Sequence, residues 1–119
     1  MDVRSLAVAE AFVTADGSTI RELSGLPTGG TVKQSLAEAS LEPGQVTQCH
    51  YHRESEEIYF VLEGEGELNL DGEQARIGPG DAVPIPPGAW HELRNTGKGP
   101  LRILCCCAPP YRHEDTFFE

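Results

Sequence analysis

Basic residues are scarce in this chain. Only 9 of its 119 residues are Lys or Arg, against 19 Asp or Glu, which gives a formal net charge of −10. A surface this acidic repels the phosphates of nucleic acid and of anionic membranes. We therefore expect neither nucleic acid nor a membrane among its partners.

Long apolar runs are missing as well. No segment approaches the roughly 20 apolar residues that a membrane-spanning helix needs. The opening stretch, MDVRSLAVAEAFVTADG, shows no basic leader followed by an apolar run. Without a visible secretory signal, we expect a cytoplasmic protein. The length of 119 residues fits one domain.

Cysteine is limited to Cys49, Cys105, Cys106 and Cys107, and no two of them form a C-x-x-C pair. This spacing excludes a zinc ribbon and a thioredoxin-type motif. Three consecutive cysteines on a strand point alternately to opposite faces, so they cannot all bind one ion. We expect reduced thiols that serve mainly as small buried hydrophobes.

Helical periodicity is nearly absent, and 13 Gly and 9 Pro punctuate short segments. Asp71-Gly72, between two alternating segments, is a strong hairpin signal. Many short strands with frequent turns indicate an all-β sandwich or barrel. The predicted strands are 18–23, 33–41, 46–52, 57–63, 65–70, 73–77, 82–86, 89–95 and 101–107.

The segment HYHRESEE is the first candidate for chemistry. His50 and His52 stand two apart on a predicted strand and therefore share a face. Two adjacent imidazoles most often serve jointly as ligands of a divalent metal. The next strand begins at Glu56 and Glu57, either of which can supply a carboxylate, and His91 is a third imidazole further along the chain.

The spacing of these residues resembles the cupin family. Its first motif is a Gly, five residues, H-x-H, three or four residues, a Glu, six residues and a Gly. Gly44, His50, His52, Glu57 and Gly64 fit it. The four-residue gap selects Glu57 over its neighbour, because only Glu57 leaves six residues before the second glycine.

The second cupin motif is a Gly, five residues, Pro-x-Gly, two residues, a His, three residues and an Asn. Gly80, Pro86, Gly88, His91 and Asn95 fit it. We expect the glycines to serve turns and Asn95 to bond backbone rather than metal. His113 lies outside both motifs, and we expect it to be solvated.

The resemblance implies a double-stranded β-helix barrel, often a dimer, with a metal held by three His and one Glu. Carried over residue by residue, the metal ligands are His50, His52, Glu57 and His91. One divalent ion per chain is implied, and Fe, Mn, Ni, Zn and Cu all suit such mixed ligation. We expect an N-terminal arm over 1–17, the cupin barrel over 18–108, and a tail over 109–119 that packs on the barrel or on a partner subunit.

Strand parity outlines the rest of the pocket. Arg102 is expected to face water, which turns Cys105 inward, close to the ion. No cationic residue falls on the inferred inner face, and this disfavours a phosphorylated sugar as the substrate. The predicted pocket-lining residues are Gln48, Tyr59, Val61, Leu93, Ile103 and Cys105.

Three functions remain open for such a site. A metal-dependent enzyme on a small organic metabolite, oxidative and dioxygenase-like, is preferred. A non-redox isomerase or lyase, similar to sugar-phosphate isomerases, would use the ion as a Lewis acid. A non-catalytic barrel that binds a small ligand is the third, since this fold hosts unrelated functions. We expect a homodimer in each case.

Overall fold

The computed structural model describes residues 1–119, which form two antiparallel sheets packed face to face. The first sheet has six strands, in the spatial order β1 (Ala11–Val13), β2 (Thr19–Ser24), β3 (Ser35–Leu41), β10 (Leu101–Ala108), β5 (Glu56–Glu63) and β8 (Ala82–Ile85).

The second sheet has five strands, in the spatial order β11 (Thr116–Phe118), β4 (His50–His52), β9 (His91–Asn95), β6 (Gly66–Leu70) and β7 (Glu73–Ile77). Two 3₁₀ turns, Leu6–Val8 and His113–Asp115, complete the chain. The prediction of an all-β, double-stranded barrel is confirmed. Neither helical turn has the length or apolar character that crossing a membrane requires.

The core lies between the two sheets and follows strand alternation. In β5 the odd-numbered residues from Glu57 to Val61 are buried and the even-numbered residues between them are exposed. The apolar core comprises Ala39, Leu41, Tyr59, Val61, Leu68, Ile77, Ile85, Ala89, Leu93, Leu101 and Ile103.

The hairpin between β6 and β7 forms as predicted. Asp71 and Gly72 have φ angles of 50° and 86°, the pair of positive values that a two-residue type I′ turn requires. Gly64 is required both by its backbone angle and by the close approach of another segment. Its φ is 89°, and a side chain there would collide with the Pro100 carbonyl oxygen.

The chain ends belong to the sheets. β1 lies within residues 1–17 and pairs with β2, and β11 lies within the tail and pairs with β4. The prediction of one strand over 46–52 is wrong, since only His50–His52 forms β4. Val46 makes an isolated bridge to Arg94, and residues 47–49 depart from regular strand geometry.

Candidate metal centre

Two neighbouring strands bring the three motif histidines together. His50 of β4 lies directly opposite His91 of β9, and His52 follows on the same face. All three residues are buried, and one ring nitrogen from each lies within 4.8 Å of the others. The structure therefore gathers three imidazoles from two strands into one cluster.

Backbone carbonyls orient two of these rings. The Nδ1 of His50 lies 2.7 Å from the Gln48 carbonyl oxygen, and the Nδ1 of His91 lies 2.9 Å from that of Ala89. A carbonyl only accepts, so each Nδ1 carries the proton. Each Nε2 therefore presents a lone pair, as a metal-binding imidazole does.

The third ring is oriented by the C-terminal strand. The Nδ1 of His52 lies 3.1 Å from the Thr116 hydroxyl oxygen, and that hydroxyl donates its own proton to the Arg112 carbonyl at 3.1 Å. Thr116 is therefore the acceptor from His52. All three rings thus have the tautomer with a free Nε2.

Glu57 places one carboxylate oxygen among these nitrogens. Its Oε1 lies 3.3 Å from the Nε2 of His52 and 3.4 Å from the Nε2 of His91. Burial raises the pKa of the Glu57 carboxyl, but hydrogen bonds and positive charge from His52 and His91 in their protonated forms outweigh burial and lower the pKa to about 2. When both rings are neutral, a bound cation would supply the same positive charge. The side chain is therefore a carboxylate at neutral pH.

The same atoms lack partners inside the protein. Glu57 Oε1 and His91 Nε2 are buried and accept no hydrogen bond. Lone pairs on a carboxylate and on neutral imidazoles repel each other unless a cation lies between them, and orphaned buried polar atoms are costly. Three imidazole nitrogens and one carboxylate oxygen fit a divalent transition metal.

The buried position of His50 also affects the pKa of its imidazole. Burial lowers the pKa of the His50 imidazole, and the nearby ring of His91 lowers it further. A neutral ring is the form that binds a metal. The other candidate ligands are elsewhere: Glu54, Glu56 and His113 are all exposed.

Residues of both motifs form hydrogen bonds that hold the ligand strands in place. The Gly88 amide donates to the carbonyl of His52 at 2.7 Å. Asn95, which is 1% exposed, donates from Nδ2 to the carbonyls of Leu41 and Gly99, each at 2.9 Å. The Gly44 amide donates to the Asn95 carbonyl at 3.1 Å. The prediction that Asn95 bonds backbone is confirmed.

A pocket opens beside the histidine cluster, and four of the six predicted residues line it: Tyr59, Leu93, Ile103 and Cys105. Burial raises the pKa of the Tyr59 hydroxyl well above its usual value, so it remains a neutral donor.

Two of the predicted pocket-lining residues need correction. Gln48 is exposed and Thr47 lines the pocket instead, because the irregular backbone at 47–49 breaks the alternation. Val61 is 1% exposed and is covered by core side chains.

The pocket wall carries acids and no bases. Its charged residues apart from the ligands are Asp16 and Glu22, and no Lys or Arg contributes to the lining. The remaining surface is mostly apolar, from β3, β10 and Phe118 of β11. Apart from a metal ion, such a pocket has no basic side chain that would pair with a phosphate.

The comparison with known proteins identifies the family. The family model described as a cupin domain matches residues 37–107, which is more than half of the chain. The chain belongs to the cupin family. The protein MJ1618 of Methanocaldococcus jannaschii is 50% identical over 105 residues, covering 88% of this cupin and 84% of MJ1618.

Two of the similar proteins whose names include an activity are a dioxygenase and a cyclase. The 5-aminosalicylate 1,2-dioxygenase of a Comamonas species is 32% identical over 80 residues, which cover 67% of this cupin but only 21% of the dioxygenase. The polyketide cyclase RemF of Streptomyces resistomycificus is a solved structure with 25% identity and a TM-score of 0.80, covering 97% of this cupin and 89% of RemF.

Sequence patterns missed how the tail of this cupin contributes to the site. Thr116 orients His52, and the ring of Phe118 lies 5.6 Å from that of His50. Asp115 is buried and accepts from the amides of Glu54 and Ser55. These contacts join residues about sixty positions apart, so no local spacing signals them. The inward position of Cys107, by contrast, follows from strand alternation.

Proposed function

We propose that this cupin is a metal-dependent enzyme that acts on a small, uncharged organic molecule, with oxidative chemistry as the preferred reaction. The observation that carries the proposal is the convergence of unpartnered acceptor atoms. Glu57 Oε1 and His91 Nε2 face each other in a buried site with no proton donor of their own. A cation removes this conflict, and few other groups do.

His50, His52, His91 and Glu57 are the residues that would hold the ion, one per chain. When bound, Fe, Mn, Ni, Zn or Cu supplies a Lewis acid, and the redox-active members also supply one-electron chemistry. The protein's contribution is to keep each imidazole neutral and to orient its Nε2 towards the ion. Gln48, Ala89 and Thr116 do this through the Nδ1 contacts.

The pocket supports the choice of substrate class. Its wall is mainly apolar, it has no basic side chain, and Asp16 and Glu22 add negative charge. Away from the ion, a phosphorylated or carboxylated group would meet repulsion from these two carboxylates. An uncharged ring or chain bearing hydroxyl or carbonyl oxygens would pack on the apolar wall, with Tyr59 as a neutral hydrogen-bond donor.

A second candidate is a non-redox cyclase, isomerase or lyase that uses the ion as a Lewis acid. The likeness to the polyketide cyclase RemF over 97% of this chain favours it. The lack of a basic residue disfavours the sugar-phosphate isomerase version. A non-catalytic barrel would bind ligand in the same pocket without turnover.

The test begins with the metal content of purified protein and proceeds to a panel of neutral phenols, diketones and hydroxyquinones. Oxygen uptake by the Fe(II)-loaded protein would support the oxidative proposal. Product formed without oxygen uptake, with Zn(II) or Mn(II) loaded, would support the second candidate. Ligand binding without turnover under every metal would contradict both.

We propose also that the protein is a homodimer of the cytoplasm. Four cysteines without disulfide bonds suit a reducing compartment. Exposed apolar side chains on β5, Ile58 at 44% and Phe60 at 38%, suit burial against a second copy.

A further inference from the structure

Cys107 contacts the Glu57 carboxylate at the oxygen that does not face the histidines. Its Sγ donates a hydrogen bond to Glu57 Oε2 at 3.3 Å, and both residues are buried. The contact arises from strand pairing, since Cys107 of β10 lies directly opposite Glu57 of β5. On its other side Cys107 lies opposite Ser35 of β3, so a central strand fixes the position of the thiol.

The two oxygens of Glu57 therefore have separate surroundings. Oε1 faces the Nε2 atoms of His52 and His91, whereas Oε2 receives the thiol proton of Cys107. A thiol beside an ionised carboxylate keeps its proton, because a thiolate there would place two negative charges in contact. The thiol therefore acts as a donor to Oε2 and leaves Oε1 directed at the imidazoles.

We propose that Cys107 is a positioning residue, which holds Glu57 so that only Oε1 is offered to the metal. This inference rests on the proposed function, since it presupposes that the centre binds an ion. Hydrogen bonds to ligating carboxylates typically set metal affinity and ligand orientation. Cys105 lines the same pocket but donates to no ligand, so the two cysteines have different roles.

The test uses Co(II), which reports both affinity and coordination through its visible absorption. Cys107→Ala and Cys107→Val remove the donor with different changes in volume, and Cys107→Ser keeps a donor. We expect the first two to weaken Co(II) binding about 10- to 100-fold and to change the spectrum, as loss of such a contact typically does. Cys107→Ser should stay within about threefold of the wild type, with an unchanged spectrum.

Cys106→Ala is the matched control, because Cys106 lies on the opposite face of the same strand and does not line the pocket, and it should bind Co(II) as the wild type does. Affinities and spectra of Cys107→Ala and Cys107→Val that match the wild type would overturn the inference. Equal losses in Cys107→Ser and Cys107→Val would also overturn it, because the donor would then be irrelevant. Failure of the wild-type protein itself to bind any divalent metal would instead overturn the proposed function.

Discussion

At the scale of single residues, the candidate centre depends on the three histidines carrying their protons on Nδ1, so that each Nε2 is free to bind the metal. Each ligand histidine donates a hydrogen bond from Nδ1. Two of the acceptors are backbone carbonyls, which no side-chain substitution removes. The third is the Thr116 hydroxyl, which is the one contact of this kind that mutation can test.

Thr116→Val keeps the shape of the side chain and removes the acceptor for His52 Nδ1. We expect metal affinity to fall about tenfold, because the His52 ring loses its orienting contact. Thr116→Ser retains the hydroxyl and should stay near the wild type. Isothermal titration with Zn(II) or Co(II) measures the difference, and equal affinity of Thr116→Val and wild type would contradict the role given to Thr116.

The cysteines of β10 provide a second residue-scale test. Cys105 lines the pocket, whereas Cys106 lies on the opposite face of the strand. We expect Cys105→Val to change ligand or substrate preference and Cys106→Val to change only the free energy of unfolding. Purely thermal effects of similar size from both variants, with ligand binding unchanged, would show that Cys105 has no part in the site.

At the scale of elements, alternation predicted the interior of most strands because one buried face repeats every two residues. It placed Tyr59 and Cys105 in the pocket, and the motif spacing selected Glu57 over Glu56. It failed at Gln48, where the backbone leaves strand geometry for three residues. Pairing of the tail with β4 depends on long-range contacts, which no local pattern encodes.

The tail is attached to the loop between β4 and β5 through Asp115. Burial raises the pKa of the Asp115 carboxyl, but hydrogen bonds from the amides of Ser55 and Glu54 outweigh it and lower the pKa below 3.8. A carboxyl with a lowered pKa in the folded state stabilises the fold above its unfolded pKa. That contribution is lost as pH falls through the folded pKa.

Asp115→Asn should therefore cost about 1–3 kcal/mol of unfolding free energy at pH 7, through two charge-assisted bonds. Because the unfolded pKa is near 3.8, the gap between wild type and variant should shrink below that pH. Urea unfolding at pH 7, 5 and 3 measures it. A gap that persists unchanged at pH 3 would contradict the contribution of the ionised carboxylate.

At the scale of the whole molecule, the acidic surface and the exposed apolar side chains bear on which molecules bind and on how the chain assembles. A net charge of −10 surrounds a pocket without bases, so uncharged molecules enter with less opposition than anions do. The tail and the strand β1 pair within the same chain, and the outer face of β5 is one exposed apolar surface available to a partner.

We expect a solution mass of about twice the 12.9 kDa of one chain. Phe60→Glu, which puts a charge on the exposed face of β5, should shift the protein towards monomer, because burying an unpaired charge in an interface is costly. Light scattering over a range of concentrations measures both. A mass of one chain at every concentration would contradict the dimer.

The most direct test of the central claim is the metal content of four purified proteins: the wild type, His52→Ala, His91→Ala and His113→Ala. We predict one divalent ion per chain in the wild type and in His113→Ala, whose altered residue is exposed and outside the cluster. His52→Ala and His91→Ala should lose most of the ion and keep the β-sheet circular dichroism spectrum, since the core is apolar. Full metal content in both of these variants would contradict the assignment of the centre.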